Sequence, residues 1–458
     1  MPKKKTERPQ REVTKRQLTH WQRESRLQRF TLIGGIIVVV AILAVVGTGL
    51  FMNKFKPLHE VVVKVETSQK VGSAATPVVV NTEYDMDYFI STLMYYGNGY
   101  YSSGLNQIQG YTYDQYLSNI ADSVAQQIGK NKLYTQEAAN LGFTVSDDEV
   151  LKAIKDRGLT PNQARIDAIR AELVIQKLTS EYFDKTQVPE SGEQRAVLAM
   201  FLESPDKVKE VTGTLNDLSQ SKTFQDLATE FSTESVSKEK GGDFGWVPQG
   251  VLSTILQTPE DKVLEDKVFD PGTAINTLTQ APDPDLSKSI GYWLLKVTEN
   301  KTATKEVHLF AMLLPSEQAA KDIKAKLDAG EDFVALAKAN SQYSNAAEDG
   351  GDLGLIAKGK MGDTVDKVLF PDDASKALPL NKVSDPIADT SQTTKGGIWL
   401  IKVTGIENQK ITGDNRTILV NQKLASWADQ GWNDNKDKVQ TFLTEEQKAF
   451  AIEQAQTR

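Results

Sequence analysis

The chain has 458 residues, a formal net charge of −8, three histidines and no cysteine. Disulfides, thiolate nucleophiles and Cys-ligated metals are therefore excluded. With no closely spaced histidine pair, so is a His-rich zinc site. There is no P-loop, no dinucleotide-binding glycine pattern and no G-x-S-x-G elbow.

The first 29 residues carry ten cations, from Lys3 to Arg29, against Glu7, Glu12 and Glu24. Residues 30–52 follow without a charge. At about 1.5 Å per helical residue they can cross a hydrocarbon core of about 30 Å. Basic flanks stay in the cytoplasm, so the expectation is one transmembrane helix, with everything after Met52 outside. The run is longer than a signal-peptide core and no small-residue cleavage site follows it, so a retained anchor is expected. Beyond the anchor the sequence carries about −15, which argues against nucleic-acid partners.

Residues 53–75 read as a membrane-proximal linker with strand character. The β-branched runs Val61–Val65 and 77–80 suggest two strands or a loose hairpin. From Met86 to about Phe183 the apolar period is helical. Ser146 and Glu149 have capping-box spacing, and Pro161 suits the first turn of the next helix. Tyr95, Tyr96, Tyr100 and Tyr101 could grip apolar peptide segments or pack on their own domain. The tail 415–457 reads as helix again, with Ile418, Leu419, Leu424 and Trp427 on one stripe.

Between these helical regions one pattern occurs twice. AMFL at 199–202 corresponds to AMLL at 311–314. Phe224 precedes GGDFGW at 241–246 by the same interval that separates Phe333 from GGDLGL at 350–355. GYWLLKV at 291–297 corresponds to GIWLIKV at 397–403. Four anchors in one order indicate an internal duplication. Asp243 and Asp352 read as turn caps. Glu348, Asp349 and Asp352 lack EF-hand spacing, so no metal is expected.

The repeated strand–helix–GGDxG–GYxxxKV order resembles the parvulin (PpiC-type) family of peptidyl-prolyl isomerases, over about 191–300 and 302–407. The segment 133–150 resembles the helical part of SurA-type chaperones, whose plan PrsA-type foldases share. The resemblance implies an α+β protein. Its parts are an N-terminal transmembrane helix, a discontinuous helical chaperone module (76–190 completed by 414–458) and two parvulin-like α/β domains. It implies no cofactor, and unfolded or proline-containing polypeptides outside the cytoplasm as partners. The family's catalytic positions fall on Ala199, Glu234 and Trp293 in the first repeat and on Ala311, Tyr343 and Trp399 in the second. Its histidine pair is thus replaced in both. Its proline pocket falls on Leu252, Leu264 and Phe269, and on Met361, Val365 and Phe370. Ala199 and Trp293 are expected on neighbouring strands, as are Ala311 and Trp399. His308, an odd number of residues before Ala311, is expected on the opposite face. Two functions follow: a membrane-anchored foldase with weak or absent isomerase activity, or a docking protein using inactive parvulin domains.

Overall fold

The computed structural model describes residues 42, 46, 48, 51–69, 78–102, 112–217, 219–258, 260–301 and 303–458. The uncharged run 30–52 lies almost wholly outside them. Among the described residues no helix is long and apolar enough to cross a membrane. The protein forms two compact units: 1–181 with 424–458, and 182–423.

The first unit is mostly helical. Strands β1 (Val61–Gln69) and β2 (Val78–Asp85) pair antiparallel, as the β-branched runs predict. The linker read at 53–75 is not separate from the module. Val62, Val63 and Val65 share one core with Phe89, Ile90, Leu93, Leu117 and Ile128: Val63 and Val65 alternate onto the helices, and an irregularity in the register between Val61 and Val63 buries Val62 as well. Ser146 and Glu149 form the expected capping box on helix Asp147–Asp156. Pro161 falls before the next helix, Gln163–Lys177, which Asn162 caps. Tyr95 donates to Glu172 at 2.7 Å, and Asn131 donates to Tyr96 at 3.0 Å, so both tyrosines pack on their own unit.

The tail is not one helix. Helix Gly413–Asn435 is followed by β11 (Val439–Thr441) and helix Glu445–Thr457. β11 pairs with β1, and Ala451 and Ala455 close the helical core. The stripe is divided accordingly: Ile418 and Leu419 pack in the second unit, and the helical unit resumes at Leu424.

The second unit holds two four-stranded antiparallel sheets, and here the expected pairing is corrected. The first sheet has the order β4-β3-β10-β5, built from β3 (Ser191–Leu202), β4 (Asp243–Pro248), β5 (Leu278–Lys288) and β10 (Thr394–Lys410). The second has the order β8-β7-β6-β9, from β6 (Gly291–Lys301), β7 (Glu306–Leu314), β8 (Asp352–Ala357) and β9 (Ile387–Asp389). The repeats have exchanged their closing strands. Ala199 lies opposite Ile401 of β10, and Ala311 opposite Leu295 of β6. Neither 191–300 nor 302–407 makes a sheet by itself. One lobe combines 191–288 with 394–410, and the other is the insert 291–389.

The connectivity of the strands accounts for the exchange. Only the residues between Lys301 and Glu306 separate β6 from β7, and the Thr304 N–H donates to the Lys301 carbonyl at 3.1 Å. A connection this short favours a local antiparallel hairpin over pairing with distant β3. β6 is thereby drawn into the second sheet, and the equivalent β10 takes the free side of β3. The crossing is tied by Tyr292, which donates to Glu203 at 2.9 Å, and by buried Lys288, whose ammonium donates to the Gly396 carbonyl.

Candidate functional site: the two parvulin faces

Each lobe has a helix-covered face and a second face where the family's groove falls. GGDxG shapes the start of the latter. Gly242 and Gly351 have φ of +71° and +87°, and each presses against the carbonyl of the alanine on the first strand. A Cβ would approach the Ala199 oxygen to 2.8 Å and the Ala311 oxygen to 3.0 Å. Both the left-handed backbone and the close approach therefore require glycine. The following aspartates cap the turn: Asp243 accepts from Gly245 at 2.8 Å, and Asp352 from Gly354 at 2.9 Å. Asp352 also meets Nε2 of His308 at 2.7 Å. Burial opposes the charge on Asp352, but the Gly354 N–H and His308 hold its carboxyl below the usual value. His308 faces away from Ala311, alongside Phe310, as strand alternation predicts.

In the first lobe one face gathers Ala199, Trp399, Leu252 and Leu264, with Phe269 at its margin. The Arg195 guanidinium stands over the Phe269 ring at 5.3 Å and donates to the Val268 and Asp270 carbonyls. Phe269 is thus fixed in place. In the second lobe Ala311 is joined by Trp293, Tyr343, Met361, Val365 and Phe370. The positions read from the repeats come together within each face, except that each tryptophan belongs to the other repeat.

Both indoles are sealed in, each 1% exposed. Trp399 packs against Phe201 at 5.0 Å between ring centres, and Trp293 against Tyr343 at 5.1 Å. Each N–H donates to a buried carboxylate on the neighbouring strand: Trp399 to Asp283 at 3.2 Å, and Trp293 to Asp389 at 3.0 Å. These aspartates escape the motif reading. The available signal was their spacing, since each stands eight positions before the glycine that opens a closing strand.

The two aspartates differ electrostatically. Burial, then the neighbouring Asp261, pushes the Asp283 carboxyl up, against the pull of the Leu286 N–H and the indole. Burial also acts on Asp389, but the Ser391 hydroxyl and N–H, with the Trp293 indole, outweigh it and hold the carboxyl low. The remaining family positions are occupied by structural work. Glu234 accepts from the N–H groups of Val236 and Ser237, capping helix Ser235–Glu239. The Tyr343 ring lies on the indole. Neither Glu234 nor Tyr343 is thus a free acid or base at its family position. A cavity of about 570 Å3 opens beside the first face, lined by Glu234, Leu256, Asp261 and Asp283. It can receive a side chain but holds no proton shuttle of the histidine type.

Exchanged strands, GGDxG turns and duplicated faces belong to two PPIC-type parvulin domains, and the chain carries both. The PPIC-type PPIASE domain matches residues 294–405 and, in a second form, 182–301, together about half of the chain. The chain is homologous to PrsA foldases and SurA chaperones. It is 42% identical over 99 residues to the foldase protein PrsA of Geobacillus kaustophilus, covering 22% of this chain and 31% of that protein. It is 24% identical over 376 residues to the chaperone SurA of Nitrosococcus oceani, covering 67% and 81%. The solved PrsA of Bacillus anthracis matches 68% of this chain and 94% of its own at 17% identity, with a TM-score of 0.16. The chain spans about a third of the length of the first PrsA relative.

Proposed function

We propose that this protein is a membrane-anchored extracytoplasmic folding factor. It holds unfolded secreted or envelope polypeptides on its helical unit, and its parvulin lobes contribute peptide contacts with weak or absent isomerase activity. The carrying observation is the pair of buried indoles, Trp293 and Trp399, each bonded to an aspartate where the family places a histidine. Rotation about an X–Pro bond crosses a barrier of about 18–20 kcal/mol and forms no covalent intermediate. A dry cup that binds the twisted amide lowers it, but here the indoles occupy the cup.

The test is made on the full-length protein. Proline-limited refolding of a client should be little accelerated, while aggregation of an unfolded client is suppressed. Strong acceleration overturns the weak-isomerase reading. Absence of suppression leaves the docking function, which the sealed faces also favour. Placing the histidine pair on one face now means Ala311→His with Trp293→His. Anchoring is tested separately: protease added outside intact cells should remove the bulk of the protein and spare an N-terminal tag.

A further inference from the structure

β4 and β8 are the edge strands that follow the two GGDxG turns, and they keep the same register. Trp246 lies opposite Ala196, and Leu355 opposite His308. Counted from the paired glycines, Leu355 is the counterpart of Trp246, and Gly359 of Gly250. The Ala196 and His308 carbonyls both turn toward the closing strand, where they accept from Thr404 at 3.3 Å and Thr298 at 3.5 Å. The carbonyls opposite them, on Trp246 and Leu355, therefore point outward from the sheet.

In the first lobe this edge is covered by the opening turns of helix Gly413–Asn435. The Asn415 side chain donates to the Trp246 carbonyl at 2.7 Å, and Gln422 donates to the Gly250 carbonyl at 2.6 Å. Ile418 and Leu419, between them, pack on the core of the lobe. Positions 415, 418, 419 and 422 form one helix face. Two carboxamides thus satisfy the edge while an apolar pair is buried against it.

In the second lobe the same edge is bare. Among the described residues no donor reaches the Leu355 or Gly359 carbonyl. Leu355 is 42% exposed, and Leu353 and Ile356 beside it are half-buried. Folds ordinarily cover or charge such an edge. Lys358 and Lys360 flank Gly359, where the first lobe has Gln249 and Val251. Both lysines are exposed, and neither makes an ion pair among the described residues. Asp363 borders the same hollow as Lys358, and Asp366 is engaged by the Gly359 N–H.

From this contrast we infer that the β8 edge docks an amphipathic helix of a partner protein, seated as helix Gly413–Asn435 is seated on β4. The partner helix brings carboxamides to the Leu355 and Gly359 carbonyls, an apolar pair to Leu355, and a carboxylate to Lys358 and Lys360. The helix of this chain that has such a face is already engaged on β4, so the occupant is another polypeptide. Docking at this edge requires neither isomerase activity nor client holding.

The probe is a labelled peptide of residues 411–426, kept helical by a lactam bridge between positions 417 and 421, which are exposed in the protein. A second version carries Lys423→Glu. Both are titrated into the full-length protein and followed by fluorescence anisotropy. Binding should weaken at least tenfold in Leu355→Ser, with an unchanged unfolding temperature, and persist in Leu355→Met. It should weaken as much when the peptide carries Ile418→Ser with Leu419→Ser. The acidic version should bind about threefold more tightly, the size of an exposed ion pair, and lose that gain in the protein variant Lys358→Gln with Lys360→Gln. Absence of binding by both peptides, or binding that survives Leu355→Ser or the doubly substituted peptide, overturns the inference. An extended bound peptide in transferred-NOE spectra would mean strand addition and overturns it too. Equal affinity of the two versions removes the carboxylate from the partner's description and overturns that part.

Discussion

Asp283→Asn and Asp389→Asn are expected to act in opposite directions, although both residues accept from a buried indole. Asp283 has a raised carboxyl, so the folded lobe binds that proton more tightly than the unfolded state does. Its contribution is full below the usual aspartate value and is lost as pH rises through the raised one. Asparagine keeps an acceptor for Trp399 and has no charge to desolvate, so the unfolding temperature at pH 7 should hold or rise. Asp389 is held low, so its contribution is present above about pH 3.9 and is lost as pH falls through the folded value. Removing that charge-assisted acceptor should cost about 1–3 kcal/mol at pH 7. Thermal unfolding of both variants checks the pair, and a shift of the same sign in both contradicts the assignment. The tryptophans were legible in the sequence because they occupy a motif position. The aspartates were not, because their role depends on which strand lies beside them.

Among the elements, the duplicated anchors were plain in sequence while the strand partners were not. GYWLLKV and GIWLIKV have the same pattern, so either can close either sheet, and local apolar alternation cannot choose between them. The length of the connection between β6 and β7 chooses. The absence of cysteine makes cross-linking a clean test. Gln194 lies opposite Glu407 in the observed register, and Lys301 is the counterpart of Glu407 in the other repeat. The double variant Gln194→Cys with Glu407→Cys should form a disulfide on mild oxidation, while Gln194→Cys with Lys301→Cys should not. The reverse result, read by intact mass and gel mobility, would restore the unexchanged pairing. Gly129, inside helix Tyr113–Asn140, offers a second test. A Cβ there would meet Cγ1 of Val439 at 2.5 Å. Gly129→Ala should therefore destabilise the helical unit by about 1–3 kcal/mol, against a helix-propensity gain of about 1 kcal/mol. An increase in unfolding temperature would show that β11 does not press on this helix.

At the scale of the whole molecule, the helical unit is discontinuous in sequence. The periodicity showed apolar stripes before and after the repeats, and two half-covered stripes find their cheapest cover in each other. The point of return was less clear, because helix Gly413–Asn435 is continuous while its residues serve different cores. Truncation after Lys423 removes β11 and the helix carrying Ala451 and Ala455. It should lower the unfolding temperature of the helical unit and leave the sheets of 182–423 intact. Far-UV and near-UV melting of the truncated protein would reveal it. A single unshifted transition would mean that the tail does not support that core.

The exchanged strands also fix an order of events during synthesis. The lobe begun at β3 waits for β10, while the lobe between Gly291 and Asp389 has all its strands earlier. The helical unit, opened at β1, is completed last by the residues after Leu424. The three cores close like nested brackets, innermost first. At roughly 5–20 residues per second, β3 stands with an open edge for something like 10–40 s before its partner emerges. A protein homologous to folding factors thus exposes, while it is still being made, the kind of unpaired strand that folding factors cover.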